Sequence, residues 1–476
     1  MVKFPRKTDE KSKREPKERV RESIDLEDEE IILVDQKPKA EKSHKALKIL
    51  IPLLIIVIIG CAGTYIYLRY FVKKADIGPI HIDREKIEHF YDALTGEEIS
   101  YSGTQYDSEG RELVDENGKT IVYSSIDAQK RANALNRQRI YCIQIPNGLD
   151  DARPQVGLDQ AKIVFEAIAE AGITRFAALY QGMNNSAIGP IRSLRNYYFD
   201  WDVPFDCTIV HAGGEDEARE RAADYGKHLD ESNTYMWRSY GHWVGANYVG
   251  YYAPNNLFTD GSLLDRFTIE NGRDNDDSSQ PKVWLRMTPY DSEDERADRK
   301  EKQENLKNAQ DAGDAEAVKK AQDEIAALPK SASSININFS VDGFNVHYDY
   351  DAANNRYMRS YTNVGPHTSY ICPANLTQPK PQEECGDPVQ LSTNVVIVMK
   401  VEEHLSEVNH YREVITTSGS GEATIFQNGY VIEGTWEKEK VEEQIVFKDK
   451  KGQVIKLAPG KTWVSVIPKQ KSVTYE

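Results

Sequence analysis

The sequence predicts an exported α/β domain and a β-rich C-terminal domain, preceded by one transmembrane helix. The first observation is an uncharged, strongly apolar run at residues 49–68. The second is the alternation of strand-like and helix-like segments between residues 139 and 225, and the third is a series of short strand candidates after residue 333. The length of 476 residues suits two or three domains.

The overall charge excludes one broad class of function. The chain carries a formal net charge of −16. Phosphate contacts supply most of the affinity of general nucleic-acid binders, so we expect no nucleic-acid partner. Residues 1–44 are rich in both signs of charge and lack an apolar period. This composition predicts a disordered cytoplasmic tail.

The apolar run predicts a single-pass anchor over residues 45–70. Twenty helical residues span a hydrocarbon layer of about 30 Å. Five lysines lie in residues 34–48 and three basic residues in 69–83. This bias favours a cytoplasmic N-terminus and extracytoplasmic domains at the cell membrane. An alternative stays open, because Gly60-Cys61 resembles the site at which bacterial lipoproteins are cleaved and acylated, here on Cys61.

The region after the anchor divides into a linker and an α/β domain. Residues 71–138 contain two Gly-ended turn signals and predict a linker with a small hairpin. The α/β domain is expected at 139–291. We predict strands at 139–145, 173–180 and 206–211, and helices at 158–171 (ended by Gly172), 191–201 and 215–225. This alternation favours a mainly parallel sheet.

The last third of the chain changes character twice. Residues 292–330 are rich in Ala, Glu, Lys and Gln, with Gly313 near the middle, and predict a charged helical insertion. Residues 331–476 predict the β-rich domain, with strands at 334–341, 394–401 and 462–467. The sequences around Gly429 and Gly452 are typical of hairpin turns.

The cysteines suggest one disulfide and no metal centre. Cys372 and Cys385 flank a Pro-rich loop and are expected to pair outside the cell. Cys142 and Cys207 lie in apolar runs, where we expect buried thiols. No Cys-x-x-Cys occurs and the histidines are scattered, so we predict no metal and no cofactor.

One stretch of about sixty residues concentrates groups that could bind a ligand. In the motif Gly189-Pro-Ile-Arg-Ser-Leu-Arg195, the two arginines would share one helix face near the helix N-terminus, which suits an anion. The structural alternative is that they pair with Glu166, Asp200 or Asp202. The candidate ligand-binding residues are Arg153, Glu166, Arg175, Arg192, Ser193, Arg195 and His211.

A catalytic interpretation uses some of the same residues. His211 follows a predicted strand and precedes two glycines, a position that suits acid–base chemistry. His211 or Glu166 would be the base of a hydrolase acting on a cell-wall polymer, with the arginines stabilising charge. No nucleophile elbow is present in the sequence, which favours binding over hydrolysis.

Several long motifs resemble a known family. The stretch ARPQVGLDQAKIVFEAIAEAGITRF, with IGPIRSLRNYY and IVHAGG, resembles the first domain of the YerB-like bacterial envelope proteins, and FQNGYVIEGTW with APGKTWVSVIP resembles the second. The family is one of unknown function, with lipoproteins or membrane-anchored proteins that face the cell wall. The resemblance therefore implies a bacterial protein with an exported C-terminal part, and it implies no catalytic residues.

These features together predict a membrane-anchored extracytoplasmic protein with a binding or regulatory role. Its expected ligand is an anionic cell-wall group or a wall-synthesis protein. The hydrolase is the alternative.

Overall fold

The structure is a computed structural model, and it describes residues 80–81, 90–99, 113–114, 134–149, 151–183, 186–244, 247–272, 292–326 and 328–476. Within these ranges, no helix is both long and apolar enough to cross a membrane. The predicted tail, the apolar run at 49–68, Cys61 and most of the predicted linker hairpin lie outside the described residues.

The first part of the described chain holds thirteen short strands and three helices. The strands are β1 Ile80–His81, β2 Leu113–Val114, β3 Tyr141–Pro146, β4 Gln155–Val156, β5 Ile163–Glu170, β6 Ile173–Tyr180, β7 Ala187–Ile188, β8 Thr208–Val210, β9 His228–Leu229, β10 Trp237–Arg238, β11 His242–Val244, β12 Asn247–Val249 and β13 Leu257–Asp260. The helices are α1 Asn196–Asp202, α2 Asp216–Tyr225 and α3 Gly261–Glu270.

The second part begins with a helical hairpin and is otherwise strand-rich. Its helices are α4 Ser292–Ala312, α5 Ala315–Ala326 and α6 Pro381–Glu384. Its strands are β14 Lys330–Ser331, β15 Ser334–Ile337, β16 Val346–Asp351, β17 Arg356–Tyr361, β18 Gly365–Pro366, β19 Thr368–Tyr370, β20 Val389–Gln390, β21 Ser392–Thr393, β22 Val395–Val401, β23 Glu403–Leu405, β24 Glu413–Ile415, β25 Gly419–Gln427, β26 Tyr430–Lys438, β27 Val446–Asp449, β28 Thr462–Pro468 and β29 Val473–Tyr475.

A central sheet of eleven strands runs through both parts of the chain. Its order is β14-β26-β25-β22-β28-β5-β6-β3-β8-β9, and β27 pairs with β26. The two parts join where β28 runs parallel to β5, with Thr462 opposite Ile163. Residues Gly78–Glu476 form one compact unit. The sheet is mixed, because β6 lies antiparallel to both β5 and β3. The expectation of a mainly parallel sheet is therefore wrong.

The predicted helix at 158–171 is instead a short 3-10 turn followed by strand β5. All residues from Ile163 to Ala169 are buried, since β28 and β6 flank the strand on its two edges and core covers both faces. A strand buried on both faces shows no alternation, so its apolar spacing can imitate a helix. Gly172 does not end a helix. Ala171 and Gly172 both have positive φ (49° and 78°), as a two-residue hairpin loop requires.

Three apolar layers enclose the central sheet. On one face, α1 packs its aromatic side chains on β5, with the rings of Phe165 and Trp201 stacked at 5.5 Å. On the other face, Phe176 and Trp463 meet edge to face at 5.3 Å. A second sheet of six strands, β18-β17-β16-β15-β29 with β21, covers the C-terminal strands of the central sheet. Tyr348 of the second sheet and Phe426 of the central sheet belong to the same buried cluster.

Several sequence-based elements are confirmed. Strand β6 and helix α2 lie where the pattern placed them, and β22 begins one residue late. Asn428 and Gly429 have positive φ and join β25 to β26 as a two-residue hairpin loop. The charged insertion is a helical hairpin that turns at Gly313. The Arg299 guanidinium of α4 lies 3.7 Å from the centre of the Tyr430 ring, so the insertion contacts the sheet.

Two disulfides cross-link the described chain. Cys372 pairs with Cys385, the pair expected from the sequence. Cys142 also pairs with Cys207, with a Cα–Cα distance of 5.9 Å, so the expectation of two separate buried thiols is wrong. Strands β3 and β8 are parallel neighbours with Cys142 opposite Ile209, which brings Cys207 within reach. Asp202 lies against this disulfide and burial raises its pKa well above the usual range.

Candidate functional site

The segment that carries Arg192 is extended and crosses the carboxyl ends of β3 and β8. The backbone N–H of Arg192 donates to the carbonyl of Gln144 (2.8 Å), and its own carbonyl accepts from Ala212 (3.0 Å). The N–H of Ile191 donates to Leu257 in β13 (2.8 Å). These partners satisfy the segment without helical bonds. Ligands of open α/β sheets bind beyond such strand ends, so the location suits a binding site.

The helix predicted at 191–201 begins only at Asn196. Arg195 is its N-cap residue and has an extended backbone (φ −122°, ψ 153°). Arg192 and Arg195 therefore do not share a helix face, and α1 has only seven residues. The expected pair of guanidinium groups at a helix N-terminus is not formed. The two arginines instead have different environments.

Arg175 and Arg195 are bound to the same carboxylate. Arg175 Nη2 donates to Glu170 Oε1, and Arg195 Nη2 donates to Glu170 Oε2. Both arginine side chains are buried, and Arg195 Nε also lies 3.4 Å from Glu215 Oε1. Burial, with the charge of Arg195, lowers the pKa of Arg175 to about 10. Burial alone would raise the pKa of Glu170, but the two arginines lower it. Both guanidinium groups are engaged by the protein itself.

Arg192 has a different environment from Arg175 and Arg195. It is half-buried, and within the described chain no hydrogen bond or ion pair engages its guanidinium. Burial lowers its pKa, while Glu170 and Asp151 act in the opposite direction from nearby. Ser193 follows it and is also half-buried. Arg192 thus offers a partly desolvated, unpaired guanidinium beside a carboxylate-bound arginine pair.

Arg153 and Glu166 lie on the other face of the central sheet. Glu166 stands opposite Phe176 and receives a hydrogen bond from Thr174 (2.9 Å), whereas Arg175 points to the opposite face because successive strand residues alternate. Arg153 donates from Nε to Asn147 (2.8 Å), and its guanidinium lies 3.6 Å from the centre of the Tyr361 ring. The predicted residues therefore do not converge in one cleft.

Glu166 forms a buried ion pair with Arg359, a residue that sequence reasoning missed. Arg359 Nη2 donates to Glu166 Oε1 (3.0 Å) and Oε2 (2.8 Å), and Trp463 Nε1 donates to Oε2 (2.9 Å). The pair is almost fully buried. Against the effect of burial, Glu166 raises the pKa of Arg359 above its ordinary value. Arg359 alternates with buried tyrosines in β17, but nothing in that pattern identifies its partner.

His211 is also enclosed. Its Nδ1 donates to the carbonyl of Gly213 (2.9 Å), and its Nε2 lies 3.2 Å from Nδ1 of His228. The side chain has no exposed surface, and burial lowers its pKa. The imidazole is held between the backbone and a second histidine, and Asp230 Oδ1 lies 3.5 Å from its Nδ1. Neither His211 nor Glu166, the two candidate bases, exposes any side-chain surface.

A hairpin beside the arginine cluster carries a group with an unusual pKa. Strands β23 and β24 pair, and Ala171 in the β5–β6 loop donates to the carbonyl of Tyr411 (3.0 Å). Burial and the nearby charge of Glu413 raise the pKa of Glu403 to about 8. Among the described residues, no group forms a hydrogen bond with the buried Oε2 of Glu403. Glu403 is therefore protonated in the folded protein at neutral pH.

This protonation predicts a loss of stability as the pH rises. The folded state binds a proton on Glu403 that the unfolded state releases near pH 4.5, so stability falls between about pH 5 and pH 8. The thermal midpoint of wild type should fall over this window, and we expect that fall to be a few degrees smaller in Glu403→Gln. The measurement is thermal unfolding from pH 5 to 8.5, with exposed Glu407→Gln as control. Parallel curves for wild type and Glu403→Gln would contradict the assignment.

The fold defines a class: a strand-rich protein whose two sequence segments share one mixed sheet. The chain belongs to the family described as "Protein of unknown function (DUF3048)". The model of the N-terminal domain matches residues 128–272, and that of the C-terminal domain matches residues 335–464. Both segments are strand-rich with some helices. The resemblance identified from the motifs is confirmed.

Two comparisons with individual proteins agree with this assignment. A protein of Bacillus subtilis (strain 168) named "Putative lipoprotein YerB" is 26% identical over 331 residues, which are 68% of this chain and 80% of the relative. A crystal structure of the YerB protein from Bacillus subtilis matches with 21% identity and a TM-score of 0.50. That match covers 71% of this chain and 94% of the other. At this identity, the structural likeness concerns the fold.

Proposed function

We propose that the protein is a membrane-associated protein of the bacterial cell envelope that binds an anionic group through Arg192. The ligand belongs to a cell-wall polymer or to a wall-synthesis protein. The observation that carries the proposal is the half-buried guanidinium of Arg192, which has no partner in the described chain and lies at the carboxyl ends of β3 and β8. Guanidinium groups bind carboxylates and phosphates with two parallel hydrogen bonds.

Two further observations support an extracytoplasmic location. The described chain holds two disulfides, which form and persist in oxidising compartments. A relative carries the name of a lipoprotein. Attachment would use either the apolar run at 49–68 as a single span or an acyl chain on Cys61. With the single span, the proposed topology places the N-terminus in the cytoplasm, and with either anchor residues 78–476 lie outside.

No observation on the described residues favours the hydrolase. His211 and Glu166 have no exposed surface, and each is held by hydrogen bonds within the protein. A general base has to reach the proton that it removes. The binding role is the better supported of the two.

The test is thermal unfolding with a panel of wall fragments and polyanions, comparing wild type with Arg192→Gln. A ligand present at about 100 times its Kd adds about 2.7 kcal/mol, a shift of a few degrees. We expect the shift to disappear in Arg192→Gln. Arg137→Gln is the matched control, because it removes the same charge from an exposed arginine at the opposite end of β3. A shift that survives in Arg192→Gln, or none with any compound, contradicts the proposal.

Arg192 is a better target than the neighbouring arginines. Removing Arg175 or Arg195 would take a partner from Glu170 and disturb a buried ion pair. Loss of binding in those variants would then be indistinguishable from loss of structure.

A further inference from the structure

Exposed apolar side chains collect at one end of the central sheet. They lie on loops beside the turn of Ala171 and Gly172, which joins the carboxyl end of β5 to the amino end of β6. On one side of this turn, the Ala171 N–H donates to the carbonyl of Tyr411 in the β23–β24 hairpin (3.0 Å). On the other side, Ser340 Oγ in the β15–β16 loop donates to the carbonyl of Gly172 (2.6 Å). The hairpin and the β15–β16 loop therefore flank the same turn.

Both flanking segments carry large apolar side chains that are exposed to water. In the β23–β24 hairpin, Val408 is 86% exposed, and more than half of the surface of Leu405 and Tyr411 is exposed. In the β15–β16 loop, Val341 is 61% exposed. Exposed apolar residues are normal when they are scattered singly, but here four of them lie around one turn.

Two further exposed apolar residues adjoin the β15–β16 loop. Leu149 packs on Gly343, where an added Cβ would lie 2.8 Å from Leu149 Cδ2. Val364 follows Asn363, whose Nδ2 donates to Asp342 Oδ2 (2.9 Å). We call the six exposed side chains the apolar end; they are Leu149, Val341, Val364, Leu405, Val408 and Tyr411. Exposed apolar clusters mark surfaces that contact a membrane or another protein.

Internal hydrogen bonds hold the backbone of both flanking segments. In the hairpin, Ser406 Oγ accepts from the N–H groups of Val408 (3.3 Å) and Asn409 (3.2 Å). In the β15–β16 loop, the Asn345 N–H donates to the carbonyl of Val341 (2.8 Å). Backbone groups that are already paired lose less when they leave water, so these segments can enter an apolar environment at a low cost.

The connection to the proposed anchor is long enough to bring this end to the bilayer. The apolar run ends at Leu68. Asp92 pairs with Lys162, one residue before β5, at the opposite end of the sheet from Ala171. Residues 69–91 can span about 75 Å when extended, whereas the eight residues of β5 rise about 27 Å. Either end of the sheet can therefore meet the membrane, and the apolar end is the one that gains by leaving water.

Resting on the proposed membrane association, we infer that the apolar end lies in the interface of the bilayer to which the protein is attached. Val408 and Val341 enter the outermost acyl-chain region, and Tyr411 lies at the level of the lipid headgroups. Lipid binding scales with the apolar area that is buried and needs no fixed partner geometry, which suits side chains from separate loops. Because the connection confines the folded unit near the lipid, a shallow contact is sufficient.

Fluorescent labels on the full chain in phospholipid vesicles test this contact. Cys61→Ala leaves no unpaired cysteine, because the other four form disulfides. Val408→Cys or Val341→Cys then carries a dye whose emission depends on its environment. The matched control is Ile269→Cys, which labels an apolar position that is 59% exposed. Ile269 lies beside Gly182, which follows the carboxyl end of β6 and hence marks the opposite end of the sheet.

Quenching by spin-labelled lipids reports which dyes reach the acyl chains. A spin label near the top of the acyl chain should quench the dyes at Val408 and Val341 at least about twofold more than the dye at Ile269, because interfacial segments reach about 5–10 Å into the headgroup and acyl boundary. The quencher is present in both leaflets, so the orientation of the protein in the vesicle does not affect the comparison.

Two double variants show whether the side chains of the hairpin, rather than the dye, make the contact. Leu405→Ser/Tyr411→Ser should reduce quenching of the Val408 dye to the level of the control position. Ile269→Ser/Val454→Ser removes two exposed apolar residues that lie outside the apolar end, and should leave the quenching of the Val408 dye unchanged. All four residues are exposed or nearly half exposed, so the substitutions spare the core.

The outcomes separate this inference from the proposed function. A full chain that does not float with the vesicles contradicts membrane association, and the inference fails with it. A chain that floats while the dyes at Val408 and Val341 are quenched no more than the dye at Ile269 overturns the inference alone, and favours a protein partner at the apolar end. Quenching at only one of the two positions overturns the shared contact. Ligand binding through Arg192 is decided separately by the thermal unfolding panel.

Discussion

Replacing Arg359 by Met is expected to lower the free energy of unfolding by about 3–5 kcal/mol. The substitution leaves Glu166 as a fully buried carboxylate without its cation. Trp463 and Thr174 would still donate to that carboxylate, at 2.9 Å each, but both are neutral donors. His367 Nδ1 would also lose the donor Arg359 Nε (2.8 Å). A buried charge that loses its partner costs far more than an exposed one.

The matched control is Arg356→Met on the same strand. Arg356 is partly exposed and faces Asp351, with Nε to Oδ2 at 3.3 Å. Exposed ion pairs contribute about 0–1 kcal/mol, so we expect a small change. Urea unfolding followed by tryptophan fluorescence measures both variants, with the slope of the transition checked for two-state behaviour.

A double variant separates loss of the pair from loss of packing. Glu166→Gln removes the charge that Arg359→Met leaves behind, so Glu166→Gln/Arg359→Met should be more stable than Arg359→Met alone. If Arg359→Met loses no more stability than Arg356→Met, Glu166 is not held as a buried anion. The pair joins β5 of the first family segment to β17 of the second, so its loss should destabilise both segments together.

Local signals in the sequence predicted those elements that depend on local chemistry. The Asn428-Gly429 turn follows from the need for positive φ at both positions of a two-residue hairpin. Helix α2 and the insertion hairpin could be predicted from their residue composition and from the positions of nearby glycines. Strand β5 was missed because burial on both faces removes the alternation that marks a strand. The start of α1 was missed because backbone hydrogen bonds to distant residues keep 191–194 out of the helix.

The arrangement of the candidate residues could not be predicted from the sequence, for similar reasons. Glu166 and Arg175 were grouped because they lie close in the sequence. Glu166 of β5 stands opposite Phe176 of β6, and Arg175, the neighbour of Phe176, points to the other face of the sheet. Arg359 lies 193 residues from Glu166, so no local pattern could connect them. The helix face proposed for Arg192 and Arg195 does not exist, because the helix begins only at Asn196.

The second large effect is expected at the Cys142–Cys207 disulfide. This bridge spans 65 residues and the Cys372–Cys385 bridge spans 13. If a disulfide acts by restricting the unfolded chain, the longer loop contributes about 4 kcal/mol and the shorter about 3 kcal/mol. Cys142→Ala/Cys207→Ala should therefore cost more stability than Cys372→Ala/Cys385→Ala.

Packing adds a second loss at the Cys142–Cys207 bridge. Cys142 and Cys207 are fully buried in the core on the α1 side of the sheet, so alanine leaves a cavity there. Alanine is the suitable replacement, because serine would bury a hydroxyl beside Asp202. Urea unfolding of both double variants under non-reducing conditions measures the two losses.

Thiol labelling of the unfolded protein checks the pairing itself. Without reductant, wild type should not be alkylated at Cys142, Cys207, Cys372 or Cys385, and with reductant all four should react. Labelling at Cys142 or Cys207 before reduction would restore the interpretation as free thiols. Equal stability losses in the two double variants would be compatible with the pairing. They would contradict restriction of the unfolded chain as the main source of stabilisation, because the two bridges differ in loop length.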